Sequence, residues 1–166
     1  DQGELNKYVK RLGDPNDFYV KHLMFVVFSD MLVGKGIKQP IFVTKEAFKK
    51  TEKVFKSGIK DHEYLHAEDL FNGIPCGDGM LNYHILPLLQ KDITTAILDL
   101  RAIYYQMQEM KKTGITREDM QELRECYLFY YKLLEDSNPK DIVGISIRES
   151  QLEFFGKKLE GFSLQN

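Results

Sequence analysis

A mainly α fold, in a compact domain of five to seven helices with at most a minor β-sheet, is predicted by three features of the sequence. Apolar residues recur at intervals of three and four over long stretches, most clearly over residues 93–112. Short breaks rich in Gly, Pro and Asn separate these stretches. The length of 166 residues, of which 43% are hydrophobic, suits one globular domain, which we expect to span residues 1–166.

The first forty residues are predicted to contain two helices and to lead into one short strand. Residues 3–12 are typical of a short amphipathic helix, which Gly13 ends. Residues 15–32 carry apolar side chains at helical spacing, so we expect a second helix there. After a break rich in Gly and Pro, the apolar triplet at residues 41–43 favours a short strand.

Two further helices are predicted between the strand and residue 71. Thr44 is a suitable N-cap for the first of them, and Gly58 is expected to end or kink that helix. The next helix is expected over residues 59–71. The sequence NGIPCGDG at residues 72–79 is dense in turn-forming residues and stops it.

The second half of the chain is predicted to be helical almost throughout. Residues 93–112 are expected to form the longest helix, and Thr116 is the expected N-cap, in a capping-box pattern, of a helix over residues 117–136. The apolar segment IVGISI at residues 142–147 is either a second short strand or a buried turn. A closing helix is expected over residues 148–162.

Composition and charge exclude several classes of function. A net charge of −2 without basic clusters predicts no binding to nucleic acid. No apolar run reaches the length that a membrane span requires, so we expect no membrane association. The two cysteines, Cys76 and Cys126, are far apart, which favours the reducing cytoplasm. Because the chain begins with Asp1 rather than Met, secretion stays an alternative.

The pentapeptide HEYLH at residues 62–66 holds two of the four histidines of the chain. Positions four apart lie on one face of a helix, so the imidazoles of His62 and His66 can reach one metal ion. Glu63 is rotated by about 100° from His62, which suits a carboxylate that reaches a metal-bound water rather than the metal. A metal that acidifies its water and a carboxylate that accepts the proton together make a hydrolytic site.

HEYLH resembles the HExxH motif of the zincin metallopeptidases, and the acidic position on the next long helix makes the gluzincin branch the nearest. The resemblance implies that His62 and His66 bind zinc, that Glu63 is the general base and that the substrate is a peptide or protein. Another divalent transition metal is an alternative to zinc as the bound ion. The flanking Lys60 and Glu68 depart from the family, because active peptidases usually carry uncharged residues there.

The third metal ligand is expected to be Asp99, with His84 and Asp69 as alternatives. In the gluzincins this ligand is an acidic residue on the next long helix, and Asp99 matches it by position. Asp99 lies in the most apolar stretch of that helix, where a carboxylate is costly to bury unless it is paired or bound to a cation. His84 follows a turn and can fold back, whereas Asp69 lies on the same helical face as His62. Two histidines with one carboxylate are also the ligand set of non-haem iron sites.

Two classes of function therefore remain open on the sequence. One is a small zinc metalloprotein that resembles the zincins and hydrolyses peptides. The other is a non-catalytic helical interaction or scaffold protein, in which the histidine pair is a surface or structural feature.

Overall fold

The computed structural model describes residues 24–26, 41–43, 52–76, 79–81 and 89–163. These residues contain five α-helices, a π-helical segment that joins the first two of them, and two antiparallel pairs of short strands. The prediction of a mainly α fold with minor β-structure is therefore confirmed.

Along the chain, a pair of short strands comes first, and most of the later elements are helices. The elements are β1 (Met24–Val26), β2 (Ile41–Val43), α1 (Glu52–Ser57), a π-helical segment (Gly58–Glu63), α2 (Tyr64–Asn72), β3 (Ile74–Cys76), β4 (Gly79–Leu81), α3 (Lys91–Thr113), α4 (Arg117–Asp136) and α5 (Ile142–Ser163). Strand β1 pairs with β2, and β3 pairs with β4 in a tight hairpin.

The prediction of a helix over residues 15–32 is wrong at the centre of that range, because Met24–Val26 forms the strand β1. This strand pairs with β2, with Phe25 opposite Phe42. An apolar run of this kind fits a helix and a buried strand equally well, and here the neighbouring strand decides between them. The strand predicted at Ile41–Val43 is confirmed. The helix predicted over residues 3–12, the other positions of 15–32 and the N-cap Thr44 lie outside the described residues.

The helix that carries HEYLH does not end at Gly58, as one reading of the sequence predicted. Helix α1, the π-helical segment and α2 follow one another directly, and Gly58 is the first residue of the π-helical segment. A π-helical turn is wider than an α-helical turn and is found frequently at functional sites. His62 lies in this segment and His66 lies in α2, so the widened turn helps to set how the two imidazoles face each other.

Helix α3 forms the centre of the described core and confirms the long helix predicted over residues 93–112. It packs most extensively against α4 and next against the π-helical segment. Its buried apolar residues are Ile93, Ala96, Ile97, Leu100, Ala102, Ile103, Met107 and Met110. The helix ends at Gly114, which has a φ of 78° in the left-handed region that suits glycine. Thr116 then caps α4 as predicted, since its hydroxyl accepts a hydrogen bond from the Asp119 amide at 3.1 Å.

Helix α5 begins at Ile142, so the strand or turn predicted over residues 142–147 is wrong. The β-branched residues there favour a strand, but Asp141 stands at the start of the segment and its carboxylate accepts a hydrogen bond from the Gly144 amide at 2.8 Å. This bond satisfies one of the backbone donors that a helix start leaves open. Ile142 and Val143 are mostly exposed, so no sheet contact competes with the helix.

Helices α4 and α5 are joined by a buried hydrogen bond that makes a testable contribution to stability. The Tyr127 hydroxyl donates to the Phe155 carbonyl oxygen at 2.9 Å, and burial raises the pKa of Tyr127, which keeps the donor proton in place. We expect Tyr127→Phe to lower the free energy of unfolding by about 1 kcal/mol, because it removes the bond and keeps the ring. Urea unfolding measures this value. Tyr105→Phe, at an exposed position on α3, should leave stability unchanged, and an equal loss in both variants would contradict the assignment.

Among the described residues, no helix combines the length and apolar character that crossing a membrane requires.

Candidate metal centre

The site is built where the HEYLH helix crosses α3. The π-helical segment contributes His62, α2 contributes His66, and α3 contributes Asp99 from the opposite side. The π-helical segment packs closely against α3, and Leu100 and Ile103 of α3 are buried in the core. Core packing therefore fixes the distance between the two helices and brings Asp99 to the histidine pair.

Three potential ligand atoms face one another at this crossing. His62 Nε2 and His66 Nε2 are 3.1 Å apart. Asp99 Oδ1 lies 3.7 Å from His62 Nε2 and 3.8 Å from His66 Nε2. The point equidistant from these three atoms is about 2 Å from each, which is the length of a zinc bond to imidazole nitrogen or carboxylate oxygen. The predicted set of His62, His66 and Asp99 is thus brought together in space with spacing that suits a small divalent ion.

The three side chains are largely but not completely buried. The side chains of His62, His66 and Asp99 are 16%, 13% and 20% exposed, respectively. Structural zinc sites usually have four protein ligands, whereas catalytic sites have three and leave a position for water or substrate. Three ligands with residual access to solvent match the second arrangement.

The surroundings of the two histidines shift their pKa values in opposite directions. Burial lowers the pKa of His62 and is the largest single influence, but the neighbouring Asp99, together with Glu63 and Gln106, outweighs it and raises that pKa above its usual value. Burial, and next the positive charge of His62, lower the pKa of His66 to about 4. In the metal-free protein the first proton therefore binds at His62, while His66 stays neutral. Its Nε2 lone pair is then available to accept from His62 or to bind a cation.

Two further polar residues touch the site and were not identified from the sequence. Gln106 is 4% exposed, its amide nitrogen contacts Met110 Sδ at 4.0 Å, and its proximity to His62 contributes to the raised pKa of that histidine. Tyr130 lies on α4 near Asp99; burial first, and then the charge of Asp99, raise the pKa of Tyr130. Gln106 stands seven positions after Asp99, on the same face of α3, and a glutamine among apolar residues at that spacing is the one sequence signal that points to it. For Tyr130 the sequence holds no such signal.

Glu63 lies beside the site and is not one of the three clustered ligands. It is 4% exposed, and its negative charge contributes to the raised pKa values of both His62 and Tyr130. This position agrees with the geometric expectation that Glu63 does not bind the metal alongside the histidines. Its role as a general base stays a prediction.

Of the two alternative third ligands, the structure describes only Asp69, and Asp69 is not in the group. The Asp69 carboxylate is 3% exposed and accepts a hydrogen bond from Arg101 Nε at 2.7 Å, so it is paired with α3. The same contact shows that Arg101 pairs with Asp69 rather than with Asp99. His84 lies outside the described residues.

Comparison of the chain with models of known protein families, with curated protein sequences and with solved structures gives no match. The resemblance to the zincins therefore rests on the HEYLH motif, and the structure adds a group of three residues that could hold a metal ion, His62, His66 and Asp99.

Proposed function

We propose that His62, His66 and Asp99 bind a divalent metal ion, with zinc as the resident metal, and that the centre hydrolyses peptide bonds with Glu63 as general base. The observation that carries this proposal is the mutual placement of the three ligand atoms, which come from two crossing helices and lie 3.1 to 3.8 Å apart. A bound zinc ion supplies a water of lowered pKa and polarises the scissile carbonyl.

The residues around the three ligands have distinct roles in this proposal. Gln106 lies near His62 and Tyr130 lies near Asp99, and in this proposal they become the outer hydrogen-bond partners that orient these two ligands when the metal binds. Glu63 adjoins His62 in the chain and accepts the proton of the attacking water, then passes it to the leaving amine. The peptide substrate class follows from the resemblance to the zincins.

Zinc rather than iron is proposed because the ligand distances match a compact three-ligand site with one open position. The same ligand set binds ferrous iron in non-haem oxygenases. The two metals are distinguished by dialysing purified protein against equal amounts of zinc and ferrous ions under reducing conditions and then measuring its metal content. We expect close to one zinc per chain, and retention of iron alone would replace the hydrolytic proposal with an oxidative one.

Replacing Glu63 by glutamine separates metal binding from hydrolysis. Glutamine keeps the shape of the side chain but cannot accept a proton, and general-base catalysis contributes about 100-fold to 10,000-fold in rate. We therefore expect Glu63→Gln to retain one zinc per chain and to lose at least about 100-fold in kcat on fluorescence-quenched peptide libraries. The measurements are metal content and initial rates.

The matched control is Glu68→Gln, which changes an exposed glutamate of the same helix and should leave both quantities unchanged. Equal rates for wild type and Glu63→Gln would exclude Glu63 as the base. Zinc binding without hydrolysis of any library by the wild type would keep the metal centre and exclude the peptidase.

A second candidate is a non-catalytic scaffold protein, and the direct contact between the two imidazoles favours it. His62 Nε2 and His66 Nε2 are within hydrogen-bonding distance of each other, and their rings meet edge to face. Without a metal, the hydrogen-bonded histidine pair and the Asp99 carboxylate, which lies within 3.8 Å of both rings, form a polar cluster that links the HEYLH helix to α3. Thermal unfolding with and without a chelator distinguishes the candidates, because a metal bound only to the folded state stabilises that state. An identical melting temperature in both conditions would favour the scaffold.

A further inference from the structure

A cleft of about 310 Å³ lies between α3 and α5 and is separate from the metal centre. Its walls include Pro75, Arg101, Ser150, Gln151, Phe154 and Lys157. None of the three clustered metal ligands lines it. The volume is at the small end of the range for ligand pockets, so an occupant would be a small molecule or one or two residues of a peptide.

The side chain of Gln151 is the first indication that the cleft binds a ligand. Gln151 is only 3% exposed, and its side chain makes no hydrogen bond with any of the described residues. Its amide atoms are not among the fully buried polar atoms that lack a partner, so the small exposed part of the residue includes the amide, which faces the cleft. Side-chain amides in largely buried residues usually pair with protein groups, water or a ligand. Since Gln151 lines the cleft, a molecule bound there can supply both an acceptor for its NH₂ group and a donor for its carbonyl oxygen.

The guanidinium of Arg101 is the second indication. Its Nε donates to the buried carboxylate of Asp69 at 2.7 Å, and this contact fixes the plane of the group. The other N–H groups of Arg101 have no partner among the described residues, and the side chain lines the cleft. A guanidinium that is held at Nε presents its two terminal nitrogens as a fork, which matches the two oxygens of a carboxylate.

The remaining walls restrict the charge and character of the ligand. Lys157 is paired with Glu153, and Arg101 is partly neutralised by Asp69, so the cleft has little excess positive charge. This balance suits a ligand with one negative charge and disfavours phosphates and polyanions. Phe154 is 46% exposed at the cleft and, with Pro75, offers an apolar wall for a side chain of the ligand.

We propose that this cleft binds the terminal carboxylate of a peptide-like ligand, in which an amide group and an apolar side chain adjoin the carboxylate. Arg101 binds the carboxylate, Gln151 pairs with the amide, and Phe154 covers the apolar side chain. The proposal does not depend on the metal centre, because the two sites share no residue. Its test can therefore fail or succeed whatever the outcome at His62, His66 and Asp99.

The test uses N-acetylphenylalanine, which carries all three groups, and N-acetylphenylalanine amide, which lacks the carboxylate. Both are titrated into the full-length, isotope-labelled protein and followed by two-dimensional NMR, with a chelator present so that no metal ion contributes. We expect saturable shifts for N-acetylphenylalanine at residue 101 and at residues 150–157. Binding of the amide is expected to be about tenfold weaker, because it cannot use the Arg101 fork.

Two variants and one control assign the binding to the cleft. Gln151→Leu keeps a similar volume without the amide, and Arg101→Lys keeps a cation opposite Asp69 without the fork; each should weaken binding of N-acetylphenylalanine about tenfold. Gln121→Leu changes an exposed glutamine of α4 and should bind like the wild type. If Gln151→Leu fails to fold, Arg101→Lys and the amide comparison decide. The proposal is overturned if N-acetylphenylalanine causes no saturable shifts in the wild type. It is also overturned if the wild type binds N-acetylphenylalanine amide, and the Arg101→Lys variant binds N-acetylphenylalanine, as tightly as the wild type binds N-acetylphenylalanine.

Discussion

Asp99→Ala is expected to abolish zinc retention. Among the described residues, the carboxylate is one of three clustered ligands and the one with a negative charge, and it comes from a different helix than the two histidines. Without it, a metal would be held by two neutral imidazoles on one helix. We expect the affinity for zinc to fall by at least about 100-fold, or about 3 kcal/mol. Competition against a chromophoric chelator measures the affinity, and elemental analysis measures the zinc that remains after dialysis.

The control for this experiment is Asp92→Ala, because Asp92 is an exposed acid in the first turn of the same helix. It should bind zinc like the wild type. If Asp99→Ala also kept the wild-type affinity, the metal-centre proposal would be wrong. The metal-free stability of Asp99→Ala carries separate information: a loss of stability that is the same with and without zinc would assign the three residues to a structural cluster.

The placement of Asp99 beside the histidine pair could be predicted because two independent sequence signals coincide at this residue. Helical periodicity places residues 93–112 in one long helix, and a carboxylate in its most apolar stretch requires a compensating partner. The structure supplies that partner from the HEYLH helix. The relative placement of His62 and His66 also follows from local geometry, since positions four apart share a helical face.

Contacts between distant segments could not be predicted in the same way. The pair of Asp69 and Arg101 joins residues 32 positions apart, and nothing in either local sequence distinguishes it from a pair of Arg101 with Asp99. Tyr130 comes near the site only because α4 packs against α3. These features depend on tertiary packing, which periodicity does not determine.

The two wrong assignments of secondary structure have a related cause. In residues 15–32 and 142–147, apolar and β-branched residues fit both a helix and a strand, so the local sequence alone does not decide. Pairing with β2 makes Met24–Val26 a strand. At residue 142 the side chain of Asp141 caps the backbone, and a helix begins instead.

The pair of Asp69 and Arg101 leads to the second large expected effect, on stability. Replacing Arg101 by methionine should lower the free energy of unfolding by about 3 kcal/mol at neutral pH. The Asp69 carboxylate is 3% exposed and would remain buried without its cation, and an unpaired buried charge is far more costly than the pair itself. Urea unfolding at pH 7 measures the loss. Lys112→Met removes an exposed ion pair from the same helix and should have little or no effect.

The loss in Arg101→Met should also depend on pH in a defined direction. Burial already raises the pKa of Asp69 above its usual 3.8, and Arg101 opposes this rise. Without Arg101 the folded-state pKa rises further, so the penalty is full above that pKa and declines as the carboxyl takes up a proton at lower pH. Stability relative to the wild type should therefore recover as the pH falls from neutral toward 3.8, the usual pKa of the carboxyl. The double variant Asp69→Leu with Arg101→Met leaves no buried charge, and it should regain most of the loss at pH 7 with little dependence on pH. A double variant as unstable as Arg101→Met would show that the arginine acts through packing of its aliphatic stem rather than through charge.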